Sequence, residues 1–447
     1  MEIEALTRQN PWWKDKKLID ADEEYRKWRS YKIKWLPSLL DKVSIQPFSL
    51  NFIFGPRQVG KTTLLKLLIK KLLDKNIEPK QIFYFRCDKL ANFKELDEVI
   101  KTYLEFRKEN GIESSFIFLD EITFPDEWFR TIKFYIDTGD FKKDVLILTG
   151  SLSMYLKKEV ELFPGRRGKG KDYVMMPLSF REFIKVISPE TFEKLSAFKS
   201  LEPKEILMKS SQILPFIDEL NDLFKRYLKC GGFPLAINSF FEEGYITNEV
   251  KDSYGSWIKT DLAKIERDES LFKKVAKAIL EKSPSAISLN SIAKEFEIGT
   301  HKTAYEYTEI MSQLFISRTL YFIEPDKAIA SFKKNRKIHF TDPFFFHLFS
   351  DLCFSKLPEE SIIVENVVAT HIARKYETFY WSNKSEIDII VKEKDKLLGF
   401  EVKWSEKVKP KEIIIGKMKQ LITLSKKEYD AANFIIPVSI FLAALDV

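Results

Sequence analysis

Two parts of this sequence carry residue types whose spacing could do chemistry on phosphates. The first is Gly55-Pro56-Arg57-Gln58-Val59-Gly60-Lys61-Thr62-Thr63, a G-x-x-x-x-G-K-T pattern between an apolar run, Leu50–Phe54, and a helical pattern, Leu64–Leu73. A buried strand ends there, glycines let the backbone wrap an anion, and a helix N-terminus offers unpaired N–H groups to phosphate. Lys61 is then placed to reach the β- and γ-phosphates of a nucleotide, and the Thr62 hydroxyl to ligate Mg2+. Downstream, Ser115-Phe116-Ile117-Phe118-Leu119-Asp120-Glu121 ends an apolar run in two carboxylates. Asp120 would hold Mg2+ through water, and Glu121 would polarise the attacking water.

The second part is C-terminal. Ser385–Val391 and Leu397–Lys403 read as two short strands joined by a turn over Lys392–Lys396. Alternation puts Glu401 and Lys403 on one face of the second strand. With Asp388 they supply what a metal nuclease needs: carboxylates for Mg2+ or Mn2+ and a lysine for the water. E-x-K alone in a Lys/Glu-rich chain is ordinary solvated surface. The set Glu365, Asp388, Glu401 and Lys403 resembles the PD-(D/E)xK restriction-endonuclease-like fold, with Glu365 on the helical stretch Ile362–Tyr376 as the upstream acid. Ile387 stands where that family usually has proline, and Gln420 is expected on a helix after the hairpin.

Strands and helices must position these groups. Gln81–Asp88 reads as a second buried strand and Phe93–Asn110 as a helix; Val145–Leu148 is a further strand running into Thr149-Gly150-Ser151. Apolar strands alternating with helices indicate a parallel sheet covered on both faces. Ser151 or Thr149, not separable here, would sense the γ-phosphate. Phe163–Lys171 is a basic, glycine-rich loop. Arg166 or Arg167 would meet transition-state charge, in cis or from a neighbouring subunit, or the loop is simply solvated. Trp12 and Trp13 would pack over an adenine or cap the core.

Residues 184–270 read as helical, interrupted by Cys230-Gly231-Gly232-Phe233-Pro234, either a hinge or a plain turn. Helices over Phe272–Leu280 and Leu289–Phe296, then the turn Glu297–Thr300 and a third helix from His301 to Leu314, carry a helix-turn-helix signature. Ile316–Ile323 and Lys337–Phe340 would be wing strands, with Phe332–Lys337 as a basic tip suited to phosphate contacts. Glu306 and Glu309 on the third helix leave DNA reading and plain packing equally open.

The runs NPWW, GPRQVGKTT, FLDEI, LTGS, PGR and PLSFREF resemble the archaeal ATPases of the AAA+/STAND-related group. That resemblance implies an α/β P-loop NTPase binding ATP and Mg2+, with a parallel five-stranded core sheet in the order 5-1-4-3-2. A helical lid, a winged helix and a nuclease-like C-terminal α/β domain complete it. The expected divisions are 1–45 packing on the core, 46–183 for the ATPase domain, 184–270 for the lid, 271–342 for the winged helix and 343–447 for the nuclease-like domain. Two activities are compatible with this plan. One is an ATPase acting on DNA, branched or single-stranded forms included, with metal-dependent cleavage. The other is an ATP-controlled regulatory switch, homo-oligomerising, whose last domain binds without cutting.

A chain of 447 residues supports several domains, and 45% apolar with 31% charged residues describes a globular protein. The net charge of +7 permits a polyanionic partner without demonstrating one. Cys87, Cys230 and Cys353 are sparse and lack metal-ligand spacing, which points to reduced thiols. No stretch approaches the roughly 18 apolar residues of a membrane span, and the start lacks a signal-peptide core, so a cytoplasmic location is expected.

Overall fold

The computed structural model describes residues 2–150, 163–394, 396–411, 413 and 415–447. The chain divides into two compact units, Met1–Met176 and Pro177–Val447.

In the first unit, β1 (Ser49–Phe54), β2 (Ile82–Arg86), β3 (Phe116–Asp120), β4 (Val145–Gly150) and β5 (Asp172–Val174) form one sheet. Its order is β2-β3-β4-β1-β5 with every pair parallel, the order the resemblance implied. β1 and β4 are buried along their whole length, as strands covered on both faces must be. Parallel pairing carries the ends of β1, β3 and β4 to one edge, and with them Gly55, Asp120 and Thr149. The N-terminal segment closes the β2 edge. The Trp12 and Trp13 indole N–H groups both donate to Ile82 O at 2.9 Å, and the Asn10 amide exchanges hydrogen bonds with the Tyr84 backbone. Trp13 stacks on Phe106 at 4.6 Å. Of the two roles open to these tryptophans, the structure has core capping.

The second unit begins before the expected 183/184 boundary. The helix Phe180–Ile187 carries a Ser179/Glu182 capping box, and its first N–H donates to His371 Nε2 at 3.0 Å. Leu178 exchanges bonds with Gly232 and Tyr227, so this turn is built into the second unit. Helices follow as far as Gln313, including Glu269–Lys282, Leu289–Glu295 and His301–Gln313. A seven-stranded sheet then takes in β6 (Ser317–Glu324), β7 (Ile329–Phe340), β8 (Glu377–Ser382), β9 (Glu386–Glu393), β10 (Lys396–Lys403), β11 (Met418–Ser425) and β12 (Ile435–Pro437). Its order is β12-β11-β10-β9-β8-β6-β7. The expected 342/343 division therefore falls inside one sheet, because β6 pairs in parallel with β8. The helix Glu360–Ile372 is buried on all sides from Ile363 to Ile372, as its apolar sequence requires.

Two local expectations are corrected. Gln420 lies on β11, not on a helix: Leu421-Ile422-Thr423-Leu424 is a short apolar, β-branched run, and it pairs in parallel with β10. The basic run is not the hairpin tip either. β7 starts at Ile329, and its register jumps from Ser331, opposite Phe322, to Arg336, opposite Tyr321. Phe332-Lys333-Lys334-Asn335 is thus a four-residue bulge in the side of the hairpin, with Phe332 largely exposed.

Candidate functional site

The nucleotide cradle is built from β1 outward. Gly55 follows the strand, and a Cβ there would stand 2.2 Å from Met175 O, so no side chain fits where β1 runs against the residue after β5. Gly60, at φ +102°, opens the helix Lys61–Asp74, whose first turn has no side-chain cap. A helix start without a side-chain cap presents its N–H groups to whatever anion the loop encloses. Lys61 Nζ is buried and donates to Gly55 O at 3.0 Å and Pro56 O at 2.9 Å.

Asp120 at the end of β3 is fully buried and accepts from three hydroxyls. Thr62 Oγ1 donates to Oδ2 at 2.7 Å, Tyr84 Oη to Oδ2 at 3.0 Å, and Thr149 Oγ1 to Oδ1. The Thr149 hydroxyl in turn accepts from the Glu121 backbone N–H at 3.0 Å, holding Glu121 at φ +53°. Between the two hydroxyls left open by the sequence, Thr149 is bonded into this corner; Ser151 lies outside the described residues. Thr62 and Asp120 are hard oxygen donors in direct contact, a pair suited to Mg2+.

Tyr84 was not singled out in the sequence, where it reads as one aromatic in a buried strand. Its site is set by β2 lying beside β3. Burial first, then the Asp120 charge, pushes its phenol well above the usual tyrosine range. Lys66, one turn past Thr62, places Nζ 3.0 Å from Asp22 and over the Tyr84 ring at 3.3 Å. Burial lowers its pKa, with Asp22 opposing. An open cleft of about 860 Å³ beside these groups is lined in part by Arg8, Asp22, Thr62, Lys66, Tyr84 and Arg86.

Both candidate arginines are engaged inside their own unit. Arg166 pairs with Asp137 through two bonds of 2.7 and 3.0 Å, and Arg167 meets Asp172 at 3.0 Å with its guanidinium over the Phe52 ring.

In the second unit, the four C-terminal candidates converge on one corner, together with three residues that were not foreseen. Lys337 on β7 is 1% exposed. Its Nζ lies 2.8 Å from Glu365, 2.5 Å from Glu386 and 3.5 Å from Asp388. Asp388 Oδ2 accepts from Val402 N at 2.8 Å. Glu401 Oε1 takes both Lys403 and Lys411 at 2.8 Å, and Lys411 also donates to Glu386 O. Burial and then Asp388 push Glu365 up, against the pull of Lys337. Burial would depress the Lys337 ammonium, yet Glu365, Asp388 and Glu386 together raise it. A divalent ion does not fit this corner as it stands. Its carboxylates are already bonded to ammonium groups, and among the described residues no three acidic, His or Cys groups are arranged to hold a metal. Glu386 was legible two residues before Asp388; Lys337, far upstream in what read as a wing strand, was not.

Residues 48–184 match the family model described as AAA domain. Residues 221–353 and 360–435 match two further models, each described as a domain of unknown function (DUF8612 and DUF4143). No curated protein is similar enough to match the chain. Among solved structures, the ORC2 protein of Aeropyrum pernix in its ADPNP-ADP complexes is 12% identical, covering 76% of this chain and 98% of its own, with a TM-score of 0.40. The RuvB Holliday junction branch migration motor of Thermotoga maritima is 14% identical over 69% and 88%, at 0.26. AMPPCP-bound DnaA from Aquifex aeolicus is 16% identical over 61% and 84%, at 0.25. The sheet order, the phosphate loop and the AAA-domain match together make residues 48–184 a P-loop ATPase domain of the AAA type. Among the described residues no helix is long and apolar enough to cross a membrane.

Proposed function

We propose that the chain hydrolyses ATP and uses the cycle to control a second unit that contacts nucleic acid without cutting it. One observation supports this above the others: Thr62, Asp120, Thr149 and the Glu121 backbone form a continuous hydrogen-bonded relay beside an uncapped helix start. Thr62 and Asp120 would hold Mg2+, which supplies charge neutralisation on the phosphates. Lys61 would exchange its two loop carbonyls for phosphate oxygens, and Glu121 would orient the attacking water. The helical segment after residue 184 would act as the lid.

The nucleic-acid part rests on the β7 bulge. Lys333 and Lys334 are exposed next to exposed Phe332, Lys334 Nζ lies over the Phe322 ring, and Arg336 lies over the Tyr305 and Tyr321 rings. Cations interleaved with aromatic faces suit backbone phosphates and unstacked bases. Steady-state phosphate release, measured with and without branched, single- and double-stranded DNA, tests the reading. Stimulation by DNA in the wild type, lost in Lys333→Glu/Lys334→Glu while basal turnover persists, is the expected result. Turnover indifferent to all three DNAs would leave a regulatory ATPase with a protein partner.

Metal-dependent cleavage is the second reading, favoured by the convergence of Glu365, Asp388, Glu401 and Lys403. It requires Lys337 to leave the cluster. DNA incubated with Mg2+ or Mn2+, beside Asp388→Ala, separates the two: cleavage lost in the mutant would establish it.

A further inference from the structure

The C-terminal corner has the composition of a metal centre and a different occupant. Three carboxylates, from the helix Glu360–Ile372 and from β9, point at one position, and that position is filled by a side chain from β7. Lys337 brings a compact ammonium with three donors to three acid groups, the bonding pattern a bound cation would have. A lysine this deeply buried stays in place only if its charge is compensated on the spot. The neighbouring acid is spoken for in the same manner, since Glu401 Oε1 carries two ammonium partners. Asp388 spends one oxygen on the Val402 N–H and turns the other towards Lys337.

We propose that Lys337 is the resident cation of this corner, standing where a divalent ion would bind Glu365, Glu386 and Asp388, so that the sheet is joined there without metal. The proposal deepens the non-cutting part of the reading above and is independent of the nucleotide site. β7 carries both the basic bulge and, two residues past it, the lysine, so the surface offered to nucleic acid and the acid cluster share one strand.

Mn2+ binding to the full chain, nucleotide-free, followed by the paramagnetic resonance of free Mn2+, tests it. The wild type and Asp388→Asn are expected to bind Mn2+ identically, which subtracts any ion held at Thr62 and Asp120. Lys337→Met is expected to gain one Mn2+ per chain and to lose it again in Lys337→Met/Asp388→Asn. Its thermal midpoint should rise with Mn2+, as mass action requires of an ion bound only by the folded state, while that of the wild type stays put. An Asp388-dependent Mn2+ site in the wild type overturns the proposal, as does a folded Lys337→Met chain that takes up no metal. If Lys337→Met does not fold, the wild-type comparison decides alone: an Asp388-dependent site refutes the resident cation and its absence upholds it. Either result leaves ATP turnover and its response to DNA to be judged separately.

Discussion

The nucleotide corner and the C-terminal acid corner both combine buried carboxylate with buried lysine, yet their chemistry diverges in how the charges are satisfied. At the first, Asp120 is held by three hydroxyls and Lys61 bonds two loop carbonyls. These partners are neutral, so a phosphate and its metal can replace them without stranding a charge. At the second, Lys337 sits directly among Glu365, Glu386 and Asp388. Opening that cluster means separating buried opposite charges, which is strongly unfavourable. One arrangement is poised for exchange and the other is closed on itself.

The sharpest way to break this contrast is at Glu121. Its backbone is fixed by Thr149 while its carboxylate would work on water. Glu121→Gln should lower turnover by about 10²–10⁴-fold and leave ATP affinity nearly unchanged. Phosphate release and equilibrium binding of labelled ATP measure the two separately. Equal turnover would remove Glu121 from its assigned role and with it the hydrolytic half of the contrast.

Next in size is a pair of matched truncations. Lys337→Met strands at least two buried carboxylates and should cost about 3–5 kcal/mol of stability without added metal. Lys61→Met takes the donor from both loop carbonyls and should cost on the order of 1 kcal/mol, while abolishing tight ATP binding. Urea midpoints of the two variants read the difference directly. If both lose the same stability, the two corners are not different in kind. Thr149→Val is milder. It frees one Asp120 oxygen and the Glu121 N–H, and turnover should fall about 10–100-fold, the usual effect of losing a residue that orients another. A fall in affinity instead of turnover would make Thr149 part of the cradle.

Much of the first corner was legible because its signal is contiguous: one loop, one strand end, one helix start. Even so, the sheet order came from resemblance, and only the β2–β3 pairing reveals why Tyr84 meets Asp120. The second corner was half legible. Asp388, Glu401 and Lys403 lie on one hairpin, and Glu365 was read from its helix. Lys337 contributes from a strand some 50 residues upstream of Asp388, and nothing in Lys337-Ile338-His339-Phe340 marks its ammonium as buried. Gln420 failed for a local reason: Met418–Ser425 is too short for periodicity to separate buried strand from helix. The basic bulge failed because strand register is not written in composition.

A third buried carboxylate, with backbone bonds where the other two have hydroxyls or a lysine, gives the contrast its control. Asp342 caps the helix Pro343–Leu352 by accepting from Phe344 N at 2.9 Å, and both its oxygens receive Gly232 N–H, at 2.9 and 3.2 Å. This explains the Gly-Gly turn. A Cβ on Gly231, at φ +70°, would stand 2.0 Å from Asp342 Oδ1, so the turn grips the carboxylate in place of hinging freely. Burial raises Asp342 to about 6, with the two backbone donors and Arg374 pulling down. A carboxyl raised in the fold binds more protons there than in the unfolded chain between its ordinary pKa and about 6, so its contribution to stability falls as pH rises through that window. Asp342→Asn keeps an acceptor for both N–H groups and cannot ionise. Relative to the wild type it should therefore gain about 2 kcal/mol between pH 4 and pH 7, at most about 1.4 kcal/mol per unit. Urea midpoints of both proteins across that range measure the gap. A gap that stays flat would mean that backbone donors alone compensate the buried charge, and Lys337 would then be more than the second corner requires.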